Sequence, residues 1–406
     1  MIGNRLLGLI LFATLLPGVA LAGDTAGDVG QRACSALAAR VDGLAGHAPV
    51  LLRSFDAPAG GPPSEPALST AAFTYDNALA VIALVACDRP AQATRIGQAL
   101  LSAAQEPRLR NAYLAGAQTG TPAPNGWWAQ KENHWAQDPY QTGIATGNAA
   151  WAALALLTLA DRTGDKRWVR GAERIATMVV EQFADDSGPG GFVGGLHGFD
   201  GKTERLTWKS TEHNIDLVAV FSWTARASGS RDWTVPAAKA RHFVEAQFDE
   251  PSGRFFIGTQ PDGRTTNRQG SGLDTQLWPT LLPEADPRWR KALAFAERAH
   301  AVAGGFDFND DRDGLWIEGT AQAALAYRWS GRTAEYRRCM QEVSRHFSAG
   351  GLLFATREPR ITTGLAIGPA SGSADLYYFH APHLGATAWA AIAAKGWNPF
   401  AGKLRR

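Results

Sequence analysis

Four acids recur in one setting. Asp76, Glu212, Asp274 and Glu318 each fall in the first turn of a mostly apolar helical pattern, beside loop sequence rich in glycine or aromatic residues. One acid there is what helix physics favours anyway, because the N-terminal dipole stabilises negative charge; Ser271 with Asp274 even has capping-box spacing. Four together form a candidate set for general acid and base work, in which one carboxyl donates a proton and another activates water or attacks. A base must stay ionised, as helix N-termini and hydrogen bonds favour; a donor must stay protonated, as apolar burial or a second carboxyl favours. Glu318 follows Leu315-Trp316-Ile317 and is expected as the acid. Glu212, flanked by Thr211, His213 and Asn214, is expected as the base, with Asp76 and Asp274 holding hydroxyls or exchanging roles.

A second group suits recognition. The segment Asn125-Gly126-Trp127-Trp128-Ala129-Gln130-Lys131-Glu132-Asn133-His134-Trp135 alternates flat aromatics with amide, acid and imidazole groups, a pattern for stacking on rings and hydrogen-bonding hydroxyls. Trp208, His213, Trp316, Tyr377, Tyr378 and His380 occupy comparable loop positions. A lone Trp more often fills a core, so the Trp127-Trp128 pair in a polar loop stands out. Asn309-Asp310-Asp311-Arg312-Asp313-Gly314 resembles half a calcium loop, but its twelfth position is Thr320, and neither a metal nor a cofactor is expected. Gly-x-Ser-x-Gly, phosphate-loop and His-Glu-x-x-His motifs are absent from the sequence.

The elements that must carry these residues are helices in pairs. Apolar patterns open near Tyr75, Asn148, His213, Leu273 (to Leu282), Ile317 and His383. All but the last turn within a few residues into a more polar amphipathic helix, and the Val29 to Val41 helix is left to partner the sixth. A helix apolar nearly all round belongs inside, and its charged successor faces solvent. Connections within pairs are short and those between pairs are long, which gathers most Gly, Trp and Tyr at one end. Gly191 to Gly195 with a turn at Asp200-Gly201, and Arg254 to Gly258 with a turn at Asp262-Gly263, read as β-hairpins. The stretch from Gly350 to Pro382 reads as a lid with Gly364, Gly368 and Gly372 as flexible points.

With six such hairpins, Tyr75-Asp76-Asn77-Ala78-Leu79-Ala80, Ser210-Thr211-Glu212-His213-Asn214-Ile215-Asp216-Leu217 and Trp316-Ile317-Glu318-Gly319-Thr320-Ala321, the chain resembles the six-hairpin glycosidase superfamily. The resemblance spans nearly the whole chain in architecture and names no family within the superfamily. It implies an all-α (α/α)6 toroid acting on a glycan, with the cleft at the N-terminal ends of the inner helices. The expectation is a glycoside hydrolase acting on a polysaccharide or oligosaccharide of bacterial envelope or exopolysaccharide type. A lyase or sugar epimerase on the same scaffold would instead use His213, His380 or His383 as base, with Tyr and Arg assisting. A noncatalytic glycan-binding component is the third reading.

Composition narrows the partners. In 406 residues, 40 basic against 38 acidic side chains leave a charge of +2, with a basic block only at Lys403 to Arg406, so no nucleic-acid footprint exists. Arg5, the apolar Leu6 to Leu16 and Ala20-Leu21-Ala22 have the form of an export signal over residues 1–22, leaving 23–406 as one catalytic domain in the periplasm or outside, with no membrane span after cleavage. There Cys34, Cys87 and Cys339 allow one disulfide and a spare thiol, with the pairing open.

Overall fold

The computed structural model describes residues 25–371 and 373–404; the export signal expected over 1–22, and Gly372, lie outside the described residues. Helices dominate, with short strand pairs in the long connections. Apart from the single turns Pro66–Ser69 and Pro139–Thr142, the α-helices in chain order are α1 (Thr25–Asp42), α2 (Thr74–Ala86), α3 (Pro90–Ala103), α4 (Thr146–Thr163), α5 (Lys166–Phe183), α6 (Thr211–Ser228), α7 (Thr234–Ala246), α8 (Leu273–Leu277), α9 (Lys291–Ala299), α10 (Ile317–Ser330), α11 (Thr333–Val343) and α12 (Leu384–Lys395).

The α4–α5 pair shows why the sequence folds this way. In α4 every residue from Ala149 to Ala160 is buried, and alanines let neighbouring helices approach closely. Gly164 then takes the left-handed conformation (φ 72°) that ends the helix, and the Asp165 side chain caps α5 by accepting the Arg167 N–H. In α5 only one stripe is buried, Trp168, Gly171, Ala172, Ile175, Ala176, Val179 and Phe183, at the spacing of one helix face. The even-numbered helices pack in succession: α2 on α4, α4 on α6, α6 on α8, α8 on α10, α10 on α12, and α12 back on α2. Each also packs against an odd-numbered partner, and α1, the helix left over in the sequence, pairs with α12.

Three features differ from expectation. The fourth inner helix stops at Leu277 and continues as a tighter turn over Trp278–Leu281, where Pro279 has no N–H to continue an α-helix. The strand expected at Gly191 to Gly195 begins instead at Gly195: β3 (Gly195–Phe199) pairs with β4 (Lys202–Leu206) around the Asp200-Gly201 turn, and Ile144–Ala145 adds a third strand. Arg254–Phe255 pairs back onto Phe248–Asp249; the Asp262-Gly263 turn is closed by a single bridge, Thr259 to Thr266. Two further hairpins are β1 (Trp127–Ala129) with β2 (His134–Ala136), and β5 (Arg360–Thr362) with β6 (Tyr377–Phe379).

These connections are pinned to the inner helices by buried amides. Asn77 holds both backbone groups of Leu52, Asn214 those of Phe192, and Gln276 those of Phe255, at 2.8–3.1 Å. That explains three buried polar residues beside the acids as structural. Between the inner helices lies an aromatic plug: Trp151, Trp278, Trp389 and Phe400 pack with ring centroids 5.4–5.8 Å apart. Cys34 and Cys87 form a disulfide tying α1 to the end of α2, and Cys339 is a buried free thiol. Among the described residues no helix is long and apolar enough to cross a membrane.

Candidate active site

The four acids meet at one end of the inner helices, directly above the aromatic plug. Their partners come from distant parts of the chain. Tyr75 donates its hydroxyl proton to Glu318 Oε1 at 2.8 Å, and the Trp389 indole N–H donates to Tyr75 Oη at 2.9 Å. Gln322 Nε2 donates to the same Glu318 oxygen at 3.4 Å, while the Trp278 indole donates to Gln322 Oε1 at 3.1 Å. Two indoles of the plug thus support Glu318 through one intermediary each.

His383 lies between two of the acids. Its Nε2 is 3.3 Å from Asp76 Oδ1 and its Nδ1 3.5 Å from Glu318 Oε2, while Nδ1 also takes the Ala386 N–H as the N-cap of α12. Phe55 stacks on the ring at 4.3 Å. Burial opposes the imidazolium, yet Asp76 and Glu318 outweigh it and raise the His383 pKa. The convergence depends on Gly385: a Cβ there would come within 2.7 Å of Asp76 Oδ1, 2.9 Å of His383 Cε1 and 3.0 Å of Glu318 Oε2.

Across from this group, Glu212 hydrogen-bonds Asp274, so the two carboxyls share a proton. Burial and the Asp274 charge push Glu212 well above the usual carboxylate range. Asp274 is pushed up to about 6 by burial, against the Thr275 N–H that it accepts at 2.7 Å and against Glu212. Glu318 is raised to about 7 by burial, with His383 and the Tyr75 hydrogen bond working to lower it. One turn below Glu212, Asp216 is fully buried with neither carboxyl oxygen hydrogen-bonded; burial, Glu212 and Asp274 raise its pKa.

The opening to solvent is at Glu212, His213, Tyr75, Tyr140, Asn148 and Tyr378, all half-buried, whereas Asp76, Asp274 and Glu318 are at most 4% exposed. Burial followed by the charge of Glu318 raises the hydroxyl pKa of both Tyr75 and Tyr378, so both remain proton donors. His213 is held neutral by burial, its pKa lowered to about 4, with Nδ1 unpartnered and the Trp208 ring 5.7 Å away.

Other expected residues divide. Trp128 and Trp135 face each other across β1 and β2, each about half exposed, with Trp127 half-buried and Glu132 and His134 exposed near the turn. Trp316 is 1% exposed and packs under Tyr378 and beside Phe308, so it supports the cleft wall and offers no face to a ligand. His380 stacks on Phe354 and bonds the Thr356 carbonyl, away from the acids. Tyr377 lies under Arg360, on the opposite strand face from Tyr378. Ser271 bonds His300, and α8 has Gly272 as its uncapped N-terminus, so the expected capping box does not form.

The surroundings of the two glutamates also reverse the expectation. Glu318 receives the hydrogen bonds and the imidazole, whereas Glu212 faces another carboxyl, since the adjacent Asn214 is engaged with Phe192. In the calcium-like loop, Asp311 and Asp313 gather with Asp307, but Thr320 is engaged with Trp316 and Phe306 and adds no twelfth ligand. An open groove of about 660 Å³ near Arg170, Arg174 and Glu181 lies on α5, away from the acids.

No family model matches the chain, and no curated protein does. Solved structures do. A glycosidase in complex with glucose superposes with a TM-score of 0.63 at 15% identity, over 93% of this chain and 99% of that one. The chain shares the fold of that glycosidase. An α-amylase from Clostridium perfringens (TM-score 0.59, 9% identity, 91% and 98% covered) and a sugar epimerase from a ruminal bacterium (0.63, 10%, 91% and 98%) share it. At these identities the likeness carries the fold, and the chemistry rests on the site.

Proposed function

We propose that this (α/α)6 toroid, one domain over 23–406, is a glycoside hydrolase acting on a polysaccharide or oligosaccharide. The observation that carries the reading is the pairing of two unlike carboxyl environments around one opening: Glu212 sharing a proton with Asp274, and Glu318 receiving Tyr75 and facing His383. Glycosidic hydrolysis needs that inequality, a protonated carboxyl for the leaving oxygen and an ionised one for water or the anomeric carbon. Glu212 is the donor, recharged by Asp274. Glu318 is the base: its hydrogen-bonded Oε1 is fixed, and its Oε2, which accepts no hydrogen bond and has the His383 imidazole 3.5 Å away, takes the proton of the attacking water. Asp76 positions His383, which limits the rise in the Glu318 pKa. The half-exposed Trp128 and Trp135 suit stacking on sugar rings beyond the bond cleaved.

Export to the periplasm or beyond is part of the proposal, supported by the Cys34–Cys87 disulfide, which persists in an oxidising compartment. Incubating the protein with bacterial and plant glycans and measuring new reducing ends tests the activity; no product from any of them overturns it.

An epimerase or isomerase is the second reading, favoured by His213, a neutral imidazole with a free Nδ1 at the opening. Solvent deuterium entering a recovered sugar without new reducing ends would select it.

A further inference from the structure

Five carboxyls, those of Asp76, Glu212, Asp216, Asp274 and Glu318, face or underlie one opening. The ion pairs among the described residues give them a single partner, His383, which touches two of the five. None of the charges acting on Glu212, Asp216, Asp274 or His383 is an arginine or lysine. The contrast with the rest of the surface is sharp. Asp56 has Arg40 and Arg53, Asp185 has Lys209, and Asp200 has Arg108 and Arg110. Basic residues close to the acids in sequence are engaged elsewhere: Lys209 with Asp185, Arg268 over the Phe256 ring and Arg312 with the Ala299 carbonyl.

A carboxylate buried among carboxylates is repelled in a medium of low dielectric, and sites that accept one present a guanidinium or ammonium to it. This site presents acceptors instead: Glu318 Oε2 has no hydrogen-bond donor, and the Glu212–Asp274 pair holds one shared proton. Such acceptors suit hydroxyl or ammonium donors. The tyrosines that line the opening, Tyr75, Tyr140 and Tyr378, are neutral and balance no charge.

We infer that the sugar bound at the acid layer carries no carboxylate: the site takes neutral or amine-bearing sugars and excludes uronic acids by charge. This rests on the carbohydrate reading above and names its substrate class. It also removes the lyase alternative, whose uronate substrate needs a cation on its carboxyl group.

The test avoids any assumption about linkage. Glucose, glucosamine and glucuronate, with the galacto and manno counterparts, are titrated into the full chain at matched ionic strength, with binding read from tryptophan fluorescence. In at least one series the neutral or amino sugar saturates while the uronate binds about 100-fold more weakly, the size expected for one uncompensated charge near 5 Å at intermediate dielectric. A uronate binding as tightly as its neutral counterpart overturns the inference, as does failure of every sugar to bind. In Asp274→Asn the gap narrows about tenfold; an unchanged gap means shape, and sinks the electrostatic account. Neutral sugars that bind while no glycoside is cleaved leave this inference standing and defeat the hydrolase reading alone.

Discussion

Two pairs of buried charges lie within three residues of each other and are built on opposite principles. Lys209 is fully buried, yet its ammonium is 2.7 Å from Asp185 Oδ1 and 2.6 Å from the Ser187 carbonyl. Glu212 hydrogen-bonds Asp274, a partner of the same charge. The first pair is complete: against the cost of burial, Lys209 and Ser187 hold the Asp185 carboxyl well below its usual range. The second is deliberately incomplete, and its carboxyls are driven up. Ordinary folding selects the first arrangement, because unpaired buried charge costs several kcal/mol. The second is found at the opening of the cleft, where the proposed hydrolysis would use a shared proton.

Replacing the cleft glutamates breaks the comparison at its strongest point. Glu212→Gln and Glu318→Gln each lose on the order of 10³-fold in kcat, the size of a general acid or base contribution. Thermal unfolding at pH 7 is unchanged or shifted upward, since a repelled carboxyl becomes neutral. Activity near that of the parent in both variants would remove the acid and base assignment.

The complete pair responds in the reverse sense. Lys209→Met leaves Asp185 with only the more distant Arg205 guanidinium, 3.6 Å away, and removes a fully buried ammonium, so stability falls by roughly 3 kcal/mol while turnover at saturating substrate is retained. Denaturant unfolding measures the first and steady-state kinetics the second. Stability equal to the parent would mean that the two pairs are not different in kind.

The pH dependence of stability sharpens the difference further. Asp185 has a depressed folded pKa, so its contribution is present above the unfolded value near 4 and is lost as pH falls. Asp274 and Glu318 have folded values raised to about 6 and about 7, so the folded chain binds more protons than the unfolded one between pH 4 and 7. Stability contributed by these two is full below pH 4 and declines as pH rises, by on the order of 3 kcal/mol for each group. Unfolding curves across that window show the decline, and Asp274→Asn flattens it. A slope unaffected by that substitution would place the titration elsewhere.

Reading the sequence alone succeeds where one helix decides the matter. The hairpins are legible because alanine-rich runs and charged stripes follow each other along the chain, and the four acids are legible because each opens an inner helix. It fails where the deciding neighbour comes from another helix. Glu318 looks apolar beside Trp316 and Ile317, yet its partner Tyr75 is 243 residues away. His383 and His380 are three residues apart with equal claims; only the N-cap geometry and Gly385 turn one into the acids while Phe354 and Thr356 take the other. Asp216 had a usable signal, since four residues after Glu212 on a helix is the same face one turn down.

The exposed rim gives the smallest effect and separates binding from chemistry. Trp128 is 49% exposed and is paired across the hairpin with Trp135, which is 51% exposed, so neither ring is held by a core. Trp128→Ala therefore costs little stability. If the rings carry sugar units beyond the bond cleaved, truncation removes about 1.4 kcal/mol of stacking, near tenfold in KM for a polymer. It leaves kcat intact if the hairpin serves binding alone. A short oligosaccharide that ends before the rim shows no change in KM, and that contrast decides the matter. Equal losses on short and long substrates would mean that the hairpin acts by shaping the opening, and a fall in kcat would tie it to the acids after all.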